Sequence, residues 1–203
     1  YITDSLIQLM ASEPQVLPYL DMPLQHADPE VLRAMRRPRD IIGVRKTLSK
    51  VRSTVPEVSL RSTFIVGYPG EDENAFQNLI NFIQTVRFDH IGAFKYSFES
   101  GTPAEPLGDP IPEHVKMERL EHLMSVQAEI SLDRNQKFIG KTLDVLIEGV
   151  DHENQISIGR SYRDAPEIDG LVVVDGIAPI GDLVPVKVNS AITHDLVGEL
   201  IHH

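Results

Sequence analysis

The chain has 203 residues, 41% hydrophobic and 24% charged, a balance ordinary for a globular protein. Its formal charge is −11, and no apolar run approaches the roughly 20 residues that a bilayer-spanning helix requires. It holds no cysteine, which excludes disulfides, thiolate nucleophiles and any cysteine-ligated metal formed by this chain alone.

Residues 4–11 read as the end of a helix, and "VLPYLDMPL", 16–24, as a short apolar strand. Asp28 is a good N-cap with Pro29 at the first helical position. Arg33, Arg36 and Arg37 fall toward the C-terminal end of that helix, where its dipole favours cations. A second helix fits 40–53. "EVSLRSTFIVGY", 57–68, is the next strand, and Asp72 caps a helix whose stripe is Phe76, Leu79, Ile80, Ile83 and Val86. "FDHIGAFKYS", 88–97, is a third strand. A long helix follows Pro112, with Val115, Leu120, Leu123, Met124 and Ile130 inward. Strands alternating with helices imply parallel pairing through right-handed crossovers, and apolar runs suit a sheet covered on both faces. Three βα units make half of a barrel. Since the first residue is Tyr1, further strands are expected upstream. His202 and His203 are given no function.

Near Gly140 the pattern changes. "TLDVLIEGV", "QISIGRSY", "GLVVVDG" and "LVPVKVNSAI" are β runs with no helical pattern between them, the mark of a small antiparallel barrel. The expected division is 1–138 for the half barrel and 139–203 for the all-β module, an α/β fold followed by a β-barrel. From Ile139 onward Lys141, Arg160, Arg163 and Lys187 stand against eleven carboxylates. That module is a poor match for phosphate backbones and a better one for a basic partner.

In parallel α/β folds, ligands sit at the carboxyl ends of strands. Here those ends read "PLQHAD", "VGYPGED" and "KYSFESGTPA". Gly67 and Gly70 permit positive φ and close backbone approach. The segments "LPYLDMPLQHADPEVLRAMRRP", "LRSTFIVGYPGE" and "FKYSFESGTPA" resemble, in order and spacing, the later half of the radical S-adenosylmethionine methylthiotransferases. The module after Gly140 resembles their C-terminal TRAM domain. "IGRSYRDAPEIDG", 158–170, and the histidine of "PLQHAD" are similar to the RimO-type branch, which acts on an aspartate of a ribosomal protein.

The resemblance implies an enzyme of the cytoplasm that uses S-adenosylmethionine and two [4Fe–4S] clusters. The cluster cysteines lie outside this chain, so the chain by itself is expected to be inactive. The partner implied is a basic protein of the small ribosomal subunit; neither nucleic acid nor membrane is expected. Rival readings are the same chemistry on transfer RNA, disfavoured by the acidic module, and a non-catalytic binding module.

Cofactor contacts are expected at Gln25, Arg61, Gly67, Gly70, Tyr96 and Ser97. Gln25 offers an amide at a strand end. Arg61 either clamps the methionine carboxylate of the cofactor or pairs with a barrel carboxylate. Gly67 and Gly70 would admit the adenosyl part, and Tyr96 and Ser97 would flank adenine. Glu71 reads as a helix-start residue, and His26 is not read as a ligand. Substrate contacts are expected from Arg160, Asp164, Glu167 and Asp169. No catalytic residue or metal ligand is expected within the chain.

Overall fold

The computed structural model describes residues 2–201; Tyr1, His202 and His203 lie outside them. Helix α1 (Asp4–Ser12) leads into strand β1 (Tyr19–Asp21). Then come α2 (Pro29–Ala34), α3 (Ile41–Thr54), β2 (Ser59–Val66), α4 (Glu73–Val86), β3 (His90–Lys95) and α5 (Glu113–Gln136). The three strands pair in parallel in the order β1-β2-β3. The side chains of Asp28, Asp40 and Asp72 each cap the helix that follows, accepting hydrogen bonds from its first backbone N–H groups. The core under the sheet joins Leu60, Phe64 and Val66 of β2 to Leu79, Ile80 and Ile83 of α4.

The first strand is shorter than its apolar run, because Pro18 and Pro23 carry no N–H for the ladder. Ser62 fills the gap at Pro23. Its hydroxyl donates to the Met22 carbonyl (2.8 Å) and accepts from the Leu24 N–H (3.3 Å). Pairing then resumes as an isolated parallel bridge from Gln25 to Phe64.

Helix α5 departs from the expected apolar stripe. Leu123 and Ile130 are buried, but so are Lys116, Arg119, Gln127, Ser131 and Asn135. These polar side chains serve the sheet. Gln127 donates to the Phe88 carbonyl (2.9 Å) and Ser131 to that of Asp89 (2.9 Å).

Residues 142–200 close into a barrel: β4 (Thr142–Asp151), β5 (Ile156–Arg160), β6 (Val172–Asp175), β7 (Leu183–Ala191) and β8 (Leu196–Leu200), in the order β4-β5-β6-β8-β7. Two features correct the sequence reading. The short run "LVGEL" is a fifth strand, and β6 pairs with β8 in parallel, so the barrel is not wholly antiparallel. Its core includes Val145, Ile147, Val174, Val186 and Val188.

The barrel seats against the N-terminal edge of the parallel sheet. Ser59 donates to the Arg163 carbonyl (3.0 Å), and the Tyr162 hydroxyl donates to that of Glu57 (2.9 Å). The Arg163 guanidinium donates to Asn135 Oδ1 (3.0 Å) and stacks 3.9 Å from the Phe138 ring centroid.

Candidate functional site

The carboxyl ends of the strands enclose a cavity of about 360 Å³, lined by Gln25, Thr63, Ile65, Tyr68, Tyr96 and Ser97 among others. Alternation along β2 sends Leu60, Ser62, Phe64 and Val66 to the core and leaves Thr63 and Ile65 half-buried on the inner face.

Gln25 stands at the lip with φ +72°, a left-handed conformation costing a non-glycine residue about 1–2 kcal/mol. Two ladder bonds hold it there: its N–H donates to the Thr63 carbonyl and its carbonyl accepts from Ile65, both at 2.8 Å. Its side-chain amide has no hydrogen-bond partner among the described residues, which leaves it free for a ligand. Strain over-determined by its surroundings is a recurring property of ligand clamps.

Tyr96 follows β3 and pairs its N–H with the Val66 carbonyl (2.8 Å). Its ring meets Tyr68 edge-on at 5.1 Å, and its own carbonyl accepts from Lys116 Nζ (3.2 Å). The Tyr96 hydroxyl is buried without a hydrogen-bond partner among the described residues. Ser97 is exposed beside it.

Behind the loop between β2 and α4 lies a buried charge cluster that the sequence reading missed. Glu71 is not part of α4. Its carboxylate accepts from the Gly67 N–H (3.0 Å to each oxygen), from Arg119 (2.8 Å) and from His26 Nε2 (3.1 Å). His26 Nδ1 accepts from the Asp28 N–H (2.9 Å), which assigns the ring proton to Nε2. Arg119 also donates to the Glu71 carbonyl (2.9 Å). His26 and Glu71 thus fix the two loops that carry Gln25 and Gly67. The available signal was spacing: 116, 119, 123, 127 and 130 form the inward stripe of α5, and two of those positions are cationic.

Gly67 has φ +74°, and a Cβ there would collide with the Lys116 side chain, so its missing side chain makes room for α5. At Gly70, φ is +93° and a Cβ would meet nothing within 4 Å, so the loop surface there is open.

Arg61 sits near the start of β2, two residues before Thr63 on the same inner face. Its guanidinium donates to Asp21 (2.8 Å) and Asp169 (3.1 Å), so of the two readings the carboxylate pairing is the one observed. Two expected substrate contacts lie near the same joint. Asp169 is buried against Arg61, the Tyr19 hydroxyl (2.7 Å) and the Ala165 N–H (3.0 Å). Asp164 is buried against Ser161 (2.8 Å) and 3.6 Å from His90. Burial pushes the Asp164 carboxyl up, despite the opposing pull of His90 and Arg163. Both carboxylates therefore belong to the joint between domains. Arg160 is engaged with Glu148 (2.7 Å), and Glu167 is exposed.

The chain is thus a parallel half barrel with a cavity at its strand ends, joined to a closed five-stranded barrel. The TRAM domain family model matches residues 139–201. The solved structure described as "Coproporphyrinogen III oxidase (HemN) from Escherichia coli is a Radical SAM enzyme" superposes with a TM-score of 0.55 at 16% identity. It covers 94% of this chain and 44% of that one, a likeness of fold. Two curated relatives share far more sequence, and both bear the name ribosomal protein uS12 methylthiotransferase RimO. The one from Chloroflexus aurantiacus is 49% identical over 98% of this chain and 45% of its own length. That from Thermus thermophilus is 51% identical over 95% of this chain and 44% of its own. Over nearly all of its length the chain is similar to RimO-type methylthiotransferases, and it spans under half the length of these relatives.

Proposed function

We propose that this chain supplies the cofactor-facing wall and the TRAM domain of an enzyme that methylthiolates the β-carbon of an aspartate in the small-subunit ribosomal protein uS12, in the cytoplasm. The observation that carries the reading is Gln25, held in a left-handed conformation at the lip of the strand-end cavity with its amide unbonded. The lining fits S-adenosylmethionine. Gln25 offers a donor and an acceptor to its polar groups, Tyr96 and Ser97 offer an adenine edge, and the loop at Gly70 lies open beside them. The buried hydroxyl of Tyr96 has no hydrogen-bond partner among the described residues. A [4Fe–4S] cluster does not fit, because the chain has no thiolate; its ligands belong to sequence outside these residues.

Bound here, S-adenosylmethionine together with such a cluster supplies the radical chemistry that an unactivated carbon–hydrogen bond needs. The chain's own residues do the holding. Gln25 orients the cofactor, the Glu71–Arg119–His26 cluster keeps the loops rigid, and the joint through Asp169 fixes the TRAM domain. A basic substrate protein suits the acidic TRAM surface, whereas a transfer RNA would be repelled by it.

The test is mass spectrometry of a uS12 loop peptide incubated with the intact, cluster-reconstituted protein. Methylthiolation at aspartate that falls at least tenfold in Gln25→Ala supports the reading. An unmodified peptide alongside a modified transfer RNA anticodon stem-loop overturns it.

A further inference from the structure

Nineteen lysines and arginines serve this chain, and among the described residues thirteen of them form ion pairs. Of the six that do not, one is Lys187. The other five are Arg36, Arg37, Arg39, Arg45 and Lys46, all within eleven positions and all exposed. None of the five side chains makes a hydrogen bond among the described residues. Residues 33–52 hold eight of the basic residues and a single carboxylate, Asp40, which is occupied in capping α3. The rest of the chain holds eleven basic against twenty-nine acidic residues. Segregation this sharp is not needed for folding, since adjacent unpaired cations repel one another.

The position of the arc is informative. The last carbonyl of α2, that of Ala34, accepts from the Tyr68 hydroxyl (3.2 Å), and Tyr68 lines the strand-end cavity. The chain then turns at Arg36, with φ +56°, and passes through Arg37 and Arg39 into α3. The cations therefore begin beside the cavity mouth and descend along α3. There Arg45 and Lys46 rim a groove of about 610 Å³ between α3 and α4.

The composition of the arc selects its partner. Four of the five cations are arginine, which matches phosphate geometry. No aromatic residue occurs between positions 33 and 52, so there is nothing to stack on unpaired bases and no aromatic anchor for a protein interface. Charge without stacking fits a duplex read through its backbone and shape. We infer that residues 36–46 dock the phosphate backbone of double-stranded RNA. The expectation that nucleic acid is not a partner came from the acidity of the residues after Ile139, and the arc lies outside them. Binding itself stands independently of the proposed function. What rests on that reading is the consequence: a protein loop presented beside an RNA helix would reach the cavity while the arc holds the helix.

The test is a fluorescence titration of the intact protein into an RNA duplex of about 16 base pairs, at about 50 and 200 mM KCl. Five phosphate contacts predict a log–log salt slope of about −4.5. Arg37→Glu combined with Arg39→Glu, Arg45→Glu and Lys46→Glu should weaken binding more than about 30-fold and flatten the slope toward −1. Lys187→Glu should change affinity less than twofold. Matching thermal melts confirm folding of the combined variant, and glutamine at the same four positions replaces glutamate if they do not match. Modification of a free uS12 peptide should be unchanged in the variant. Failure of that reaction in the unaltered protein counts against the proposed function and not against the arc. Equal RNA binding by variant and parent, no duplex binding at the lower salt, or binding to anionic vesicles but not to RNA would each overturn the inference.

Discussion

Arg61 Nε lies 3.1 Å from Oδ1 of Asp169, across 108 residues of sequence, and joins strand β2 to the loop between β5 and β6. The same guanidinium reaches Asp21 from its other arm. Burial would lower the Arg61 pKa, but Asp21 and Asp169 together hold it above its ordinary value. The pair is a structural tie between the sheet and the TRAM domain. Arg61→Ala should cost about 2–3 kcal/mol, because it strands Asp169 in a buried setting. A double-mutant cycle with Asp169→Asn, read by urea unfolding, should show strong coupling. Additive losses would mean the two residues act separately.

Glu71 holds three donors at once, so Glu71→Ala leaves His26 Nε2 and the Gly67 N–H without their acceptor and takes from Arg119 its buried carboxylate. A loss of about 3–5 kcal/mol is expected. Removing one partner, as in His26→Ala, should cost less, because Arg119 and the Gly67 N–H still satisfy the carboxylate. The midpoint of chemical unfolding measures both. A Glu71 variant as stable as the parent would show that the cluster carries no weight.

The two glycines of the loop should part company. Gly67→Ala meets both left-handed strain and the Lys116 side chain, whereas Gly70→Ala meets strain alone. The second should cost about 1–2 kcal/mol and the first clearly more, in paired thermal melts. Equal costs would contradict the packing assigned to Gly67.

Asp89 predicts an acid limb. Burial alone would raise its carboxyl, but Arg134, its hydrogen bonds and Arg163 outweigh burial and hold it below the ordinary range. A depressed folded-state pKa contributes stability that is full above the unfolded value of about 3.9 and lost as pH falls through the folded one. Asp89→Asn should therefore be less stable at neutral pH and less sensitive to acid below about pH 4. Asp164 is shifted in the opposite direction, so it adds nothing to that limb. Unfolding free energies measured across pH 2 to 7 for parent and variant, in steps of about one unit, give the answer; parallel curves would contradict it.

Much of the fold was legible because local signals agreed. Asp28 and Asp72 announced their helices by capping chemistry, and the apolar runs at 57–68 and 88–97 announced buried parallel strands. What escaped was non-local. The strand "LVGEL" is too short to declare itself, and its parallel pairing with β6 is set by barrel closure. Glu71 looked like a helix-start carboxylate because its partners, His26 and Arg119, are 45 and 48 residues away. The segment 158–170 carries family likeness, which invites a recognition role, yet its carboxylates Asp164 and Asp169 are spent on the joint. Gln25 was legible as a strand-end amide, but its left-handed backbone was not, since nothing in a glutamine codon position signals positive φ.

The central claim is that the strand-end cavity, and not the joint, binds the cofactor. Calorimetric titration of S-adenosylmethionine onto the intact, cluster-loaded protein tests it in one comparison of Gln25→Ala with Arg61→Ala. Loss of the Gln25 hydrogen bonds should weaken binding by about tenfold, while Arg61→Ala should leave affinity within twofold as stability falls. The reverse pattern, with Arg61→Ala weakening the cofactor and Gln25→Ala leaving it untouched, would contradict the account.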